Sequence, residues 1–139
     1  MTVIVVGVDR SEHADRALAF AAEEAALRGA RLVIVYAWEL PTLISPSGVP
    51  APGYFEDLRD DAESIVQAAV ARAAALQPGV AGEGKAIGGQ PAAVLLREAE
   101  HADMIVVGSR GHGGFSSLLL GSVSQQVVHY VPCPVVIVR

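Results

Sequence analysis

The sequence predicts an α/β fold: a single doubly wound five-stranded parallel sheet, strand order 3-2-1-4-5, covered by four helices. Three observations carry that expectation. The apolar runs at 3–8, 31–38, 104–107 and 135–138 are nearly continuous, as strands covered on both faces require. The segments between them repeat apolar residues every three or four positions, the period of a helix packed on one side. The two patterns alternate along the chain, and neighbouring parallel strands need such crossovers.

Taken in order, the first strand runs from Val3 to Val8 and ends at Asp9. Ser11 is a candidate N-cap for a helix in which Ala14, Ala17, Leu18, Ala21 and Ala25 share one face until Gly29 stops it. Arg31 to Trp38 is the second strand. Glu39 to Gly53 carries Pro41, Pro46, Pro50 and Pro52, so a long surface loop is expected there. From Tyr54 to Gln77 the residues Leu58, Ala62, Ile65, Ala69, Ala73 and Leu76 mark a helix, with acids early and Pro78-Gly79 at its end. Val80 to Ile87 is glycine-rich, and its reading as a third strand rests on alternation rather than on its own pattern. Gly88-Gly89-Gln90-Pro91 is a turn that puts proline at a first helical position, and Val94, Leu95, Ala99 and Ala102 continue as a short amphipathic helix. Asp103 leads into the fourth strand, Met104 to Val107. Gly121-Ser122 heads the last helix, Pro132-Cys133-Pro134 stops it, and Val135 to Val138 closes the sheet. No internal repeat is present.

Composition narrows the class. The 139 residues show no compositional break, so one domain over 1–139 is expected. The hydrophobic fraction of 52% is divided into short runs, none long enough to span a membrane. The N-terminus enters a strand directly, without the basic and apolar stretches of an export signal, and the lone Cys133 suits a reducing cytoplasm. A net charge of −5, with Lys85 the only lysine and no basic block, argues against nucleic acid as a partner.

The chemistry concentrates where the fourth strand runs into Gly108, Gly111, Gly113 and Gly114 and the chain then reaches Gly121-Ser122 at a helix start. Glycines admit close approach to main-chain N–H groups, and a helix N-terminus offers unpaired donors with the positive end of its dipole. Together they read as a phosphate cradle. In doubly wound sheets ligands bind beyond the strand C-termini at the switch point, here between strands one and four, so Asp9 and the Gly108 loop should face each other. Asp9 also suits a simpler role, complementing the dipole of the first helix. There is no Gly-Lys-Ser/Thr of a Walker loop, and the first turn, Gly7-Val8-Asp9-Arg10-Ser11, lacks the glycine cluster of a dinucleotide fingerprint. Gly108-Ser109-Arg110-Gly111 is not a nucleophile elbow, and the sequence places no His/Asp pair to activate Ser109. His13, His101, His112 and His129 stand at no metal-ligand spacing, so no protein metal site is expected; they read as solvated surface, with His112 in the loop near a possible γ-phosphate.

The order of elements, the aspartate after strand one, the spacing Gly108-x2-Gly111-x9-Gly121-Ser122 and the ending Pro132-Cys133-Pro134-Val135-Val136-Ile137-Val138 resemble the universal stress protein family in its ATP-binding branch. The resemblance spans essentially the whole chain. It implies an adenine nucleotide alpha hydrolase-like fold and a cytoplasmic, homodimeric stress-response module that binds ATP with Mg²⁺. Carried over by position, it implies that the Asp9 carboxylate accepts the ribose hydroxyls, that Gly7 belongs to the cofactor site and that the Ala37 backbone reads adenine. Gly108, Arg110, Gly111, Gly114, Gly121, Ser122 and Val123 would surround the phosphates, with Arg110 the only cation of the loop. Tyr36 and Ala37 stand where the family more often has a histidine and a valine. Ser116, Ser117, Ser122 and Ser124 are candidate phosphorylation sites by the same resemblance, or helix-start caps by position.

The last strand, Val135 to Val138, should lie at a sheet edge, and pairing with a second copy across a twofold axis would cover it. An enzyme reading competes with the binding module: a slow ATPase, or a phosphoryl or adenylyl transferase in the same cleft. The loop lacks the lysine and nearby acidic residue on which phosphoryl-transfer sites commonly rely. A nucleotide-free dimerisation domain is the third reading, and retention of the spaced glycines and Ser122 speaks against it.

Overall fold

The computed structural model describes residues 1–39, 52–110 and 120–139. Its valine- and isoleucine-rich runs form β1 (Val3–Val8), β2 (Arg31–Trp38), β3 (Gly82–Gly88), β4 (Met104–Gly108) and β5 (Val135–Val138). All pair in parallel, as the alternation predicts, and in the expected order β3-β2-β1-β4-β5. Four helices make the crossovers: α1 (Glu12–Arg28), α2 (Tyr54–Leu76), α3 (Pro91–Ala99) and α4 (Ser122–Tyr130).

Because successive strand side chains point to opposite faces, the continuous apolar runs feed two cores. Ile4, Val6, Leu32, Ile34 and Val106 pack under α1 and α2 with Ala17, Leu18, Ala21 and Val66. Val5, Val33, Val35, Ile105 and Val107 pack under α3 and α4 with Val94, Leu95, Ala99 and Val127. Each such aliphatic side chain contributes about 1.5–3 kcal/mol when fully buried. This two-sided burial forces the strands to be apolar at nearly every position.

The local signals act as read. Ser11 Oγ accepts the Ala14 N–H at 3.1 Å, and Gly29 ends α1 in the left-handed region at φ 62°. Gln90 caps α3 through the Ala93 N–H at 2.8 Å, with Pro91 in the first turn.

Several boundaries differ from expectation by one to three residues. β3 starts at Gly82 rather than Val80 and runs to Gly88, and its glycines answer to packing: a Cβ on Gly84 would stand 2.8 Å from Val70 of α2. Helix α3 stops at Ala99; the amides of Glu100, His101 and Ala102 turn to carbonyls three residues back, the tighter geometry of a helix end. Leu76 is exposed, whereas Ala62, Val66 and Ala73 are the buried residues of α2. The expected loop lies outside the described residues from 40 to 51. No helix among the described residues is long and apolar enough to cross a membrane.

Candidate nucleotide site

The layers locate the crevice. Helix α1 leaves β1 for one face of the sheet while α3 enters β4 from the other, so the C-terminal ends of β1 and β4 part at a switch point. Asp9 follows β1 directly. Its Oδ1 accepts the Ser11 N–H at 3.0 Å and the Ser11 hydroxyl at 2.5 Å, and Ser11 in turn caps α1. Oδ2 accepts no hydrogen bond among the described residues. One carboxylate oxygen therefore serves the helix start, and the other is available to a ligand, so both roles read for Asp9 are compatible.

Arg10, next in the chain, has φ 67°, a left-handed conformation that costs a non-glycine residue of order 1 kcal/mol. It lines a cavity of about 530 Å³ at the ends of β1 and β2, together with Tyr36, Ala37, Trp38, Asp61 and Ile65. The Trp38 indole Nε1 is buried there without a hydrogen-bond partner. The wall at Ala37 is thus aromatic and aliphatic around a small side chain, the surroundings a flat heterocycle would fill.

On the other side of the switch point, α4 is anchored to the end of β4. Ser109 donates its N–H to Val138 O and accepts the Gly121 N–H, both at 2.7 Å. The buried Ser124 Oγ reaches Gly108 O at 2.9 Å and Ser109 O at 3.1 Å. Gly121 is the N-cap of α4, with extended backbone and no side-chain cap, and the first helical bond runs from Gln125 N to Gly121 O. Among the described residues no side chain caps the first-turn amides, which include those of Ser122 and Val123 at the rim. Ser122 is exposed; Val123 packs partly into the core.

Two glycines assigned to the ligand have a packing reason of their own. A Cβ on Gly108 would lie 2.9 Å from the His13 carbonyl carbon, and one on Gly7 would lie 2.9 Å from Leu95 Cδ1. Gly111 and Gly114, with His112, Ser116 and Ser117, lie outside the described residues.

His13 corrects the reading of the histidines as solvated surface, which holds for the exposed His101 and His129. Its Nδ1 lies 3.1 Å from Ser109 Oγ and its Nε2 3.0 Å from Arg110 Nη2. Burial first, then the charges of Arg110 and Arg16, push its pKa below the ordinary 6.5, against the opposite pull of Glu12 and Asp9. A guanidinium only donates, so Arg110 at 3.0 Å asks Nε2 to accept and Arg16 Nη2 at 3.4 Å asks the same of Nδ1; the shorter contact favours the neutral ring with its proton on Nδ1, toward Ser109 Oγ. That polarity is the reverse of a nucleophile–base pair. Sequence spacing offered no signal for the contact, since 96 positions separate the two residues. Lys85 is held by Glu98 at 2.9 Å in the middle of β3.

A family model described as the universal stress protein family matches residues 1–139. The chain belongs to that family. A universal stress protein of Thermus aquaticus is 41% identical over 143 residues, which covers 98% of this chain and 97% of the relative. A universal stress protein of Mycobacterium tuberculosis is 33% identical over 136 residues, and there the chain spans only 44% of the relative's length. Among solved structures, the universal stress protein UspA from Lactobacillus plantarum superposes with a TM-score of 0.84 over 99% of this chain and 97% of its own, at 24% identity, and so speaks for the fold. A universal stress protein in complex with cAMP matches at TM-score 0.73 and 29% identity, over 99% of this chain and 96% of that one. One from Archaeoglobus fulgidus in complex with dAMP matches at TM-score 0.71 and 27% identity, over 100% and 98%. The five-stranded sheet and its strand order are those of this universal stress, adenine nucleotide alpha hydrolase-like fold.

Proposed function

We propose that this universal stress protein is a regulatory module that binds ATP across the ends of β1 and β4, with residues 1–139 acting as one unit. The observation that carries the reading is the pairing, across one switch point, of a carboxylate with a free oxygen at Asp9 and an uncapped helix start at Gly121. Vicinal ribose hydroxyls suit the first, and phosphates suit the second together with Arg110. Adenine fits the wall beside Ala37, where backbone groups read its edge. The cAMP and dAMP held by related proteins support an adenine nucleotide.

Mg²⁺ arrives on the phosphates of the nucleotide, as it does where it is bound chiefly through substrate oxygens. The protein works in the cytoplasm as a homodimer joined through β5, whose four residues are only half-buried at the sheet edge. The site holds nucleotide rather than cleaving it, because the loop lacks the lysine and nearby acidic residue on which phosphoryl-transfer sites commonly rely.

Calorimetric titration with ATP tests the cradle. Gly121 has φ −67° and ψ 167°, which valine adopts without strain, so Gly121→Val places bulk at the phosphates while sparing the backbone. Affinity should fall by about tenfold or more, some 1.4 kcal/mol. Unchanged affinity would overturn the assignment, and rapid saturable phosphate release by the wild type would favour the enzyme reading.

A further inference from the structure

Helix α1 brings to the phosphate side of the crevice a side chain that the nucleotide reading leaves without a role. His13 lies in the first turn of α1, its backbone against Gly108 and its ring between Ser109 Oγ at 3.1 Å and Arg110 Nη2 at 3.0 Å. Ser109 is the fixed neighbour. Ser109 is 6% exposed and bonded through its main chain to Val138 and Gly121, so the Nδ1 contact orients the ring against a fixed point. The opposite nitrogen is thereby turned to Arg110. A line of contacts thus runs from β5 through Ser109 and His13 to the guanidinium at the rim.

We propose that His13 is a positioning residue that holds Arg110 ready for the phosphates of a bound adenine nucleotide, and so sets the preference for a phosphorylated nucleoside over a bare one. The inference rests on the nucleotide reading above. An arginine held before the ligand arrives loses less rotamer freedom on engaging it, and a guanidinium carries five N–H donors, of which the contact with Nε2 uses one.

The groups facing the imidazole keep it in the state this role needs. Burial first, then Arg110 from the β4 loop and Arg16 from α1, disfavour the imidazolium, while Glu12 of α1 and Asp9 after β1 favour it less strongly. Arg16 is held nearby, its Nε donating to Arg139 O at 2.9 Å and its Nη2 3.4 Å from Nδ1. A protonated ring would have no lone pair for Arg110, and the two cations would repel.

Two measurements test this. Titrations of the wild type, His13→Ala and His13→Gln with adenosine and with ATP should show the ATP-over-adenosine preference reduced about fivefold or more in His13→Ala, about 1 kcal/mol, with adenosine affinity unchanged. His13→Gln, whose carbonyl oxygen can accept from Arg110, should recover part of that preference, which a purely structural role would not predict. An unaltered preference in His13→Ala overturns the proposal. Imidazole NMR, without nucleotide, should show the Nδ1-protonated tautomer and an upward shift of the His13 pKa in Arg110→Ala; no shift would mean that the contact is absent and would overturn the proposal independently. If the pKa shifts but the wild type binds neither adenosine nor ATP, the nucleotide reading fails and takes this role with it, while the His13–Arg110 contact stands.

Discussion

Gly108 and His13 meet with no room for a side chain: a Cβ on Gly108 would stand 2.9 Å from both the carbonyl carbon and the Cβ of His13. The first turn of α1 therefore rests on the end of β4, which draws the β1 and β4 halves of the crevice together. The obstacle includes backbone and cannot be relieved by a rotamer change. Gly108→Ala should destabilise the fold by about 1–3 kcal/mol, as overpacked interiors do. Urea denaturation checks this, and a midpoint equal to the wild type would show that α1 shifts freely.

Ser124 carries the second tie between α4 and the strand. Its hydroxyl is buried and reaches the carbonyls of Gly108 and Ser109. Ser124→Ala should cost about 1 kcal/mol or somewhat more, because it removes a donor from buried acceptors. The same burial argues against Ser124 as a phosphorylation site in the folded protein. Treatment with a serine kinase followed by peptide mass spectrometry should leave it unmodified unless the chain is unfolded.

The lowered pKa of His13 makes part of the stability depend on pH. In the unfolded chain the imidazole titrates near 6.5, and in the folded protein below that. Between these values the unfolded chain binds more protons, so the free energy of unfolding falls as the pH falls. The contribution is fully present above 6.5, is lost as the pH drops to the folded value, and is flat below it. Urea midpoints of the wild type should decline across this window more than those of His13→Gln. Parallel curves would assign the dependence to other groups.

The proposed dimer edge yields a backbone test. Ile105 N donates to Pro134 O and Ser109 N to Val138 O, so by the alternation of a parallel ladder Val136 turns its main chain toward β4, and Val135 and Ile137 turn theirs outward. Ile137→Pro removes an outward donor and leaves the inner ladder in place, as prolines at sheet edges do. Light scattering should show monomers with the circular dichroism of the folded sheet. A persistent dimer would place the contact on another surface.

Much of the fold was legible because its signals are local. Two-sided burial makes β1, β2 and β4 apolar at nearly every position, and Ser11, Gly29, Gln90 and Pro91 mark helix ends by capping chemistry contained within a few residues. β3 was legible only through alternation, since the glycine that blurs its pattern is there to admit Val70 and Val66 of α2. Of the site, Asp9 and Gly121 could be placed from position alone, each at the end of a recognisable element.

The sequence by itself thus determined the parallel sheet and its helical crossovers, because these follow from periodicity and alternation, while the strand order 3-2-1-4-5 came with the resemblance to the family. Only the tertiary structure decided that His13 reaches across to Ser109 and Arg110, that Ser124 is a buried tie and that Gly108 is kept small by α1. Those contacts join residues far apart in the chain. They depend on how closely a helix settles on a strand end, a distance that side-chain volumes from the whole layer set together and that no local pattern encodes.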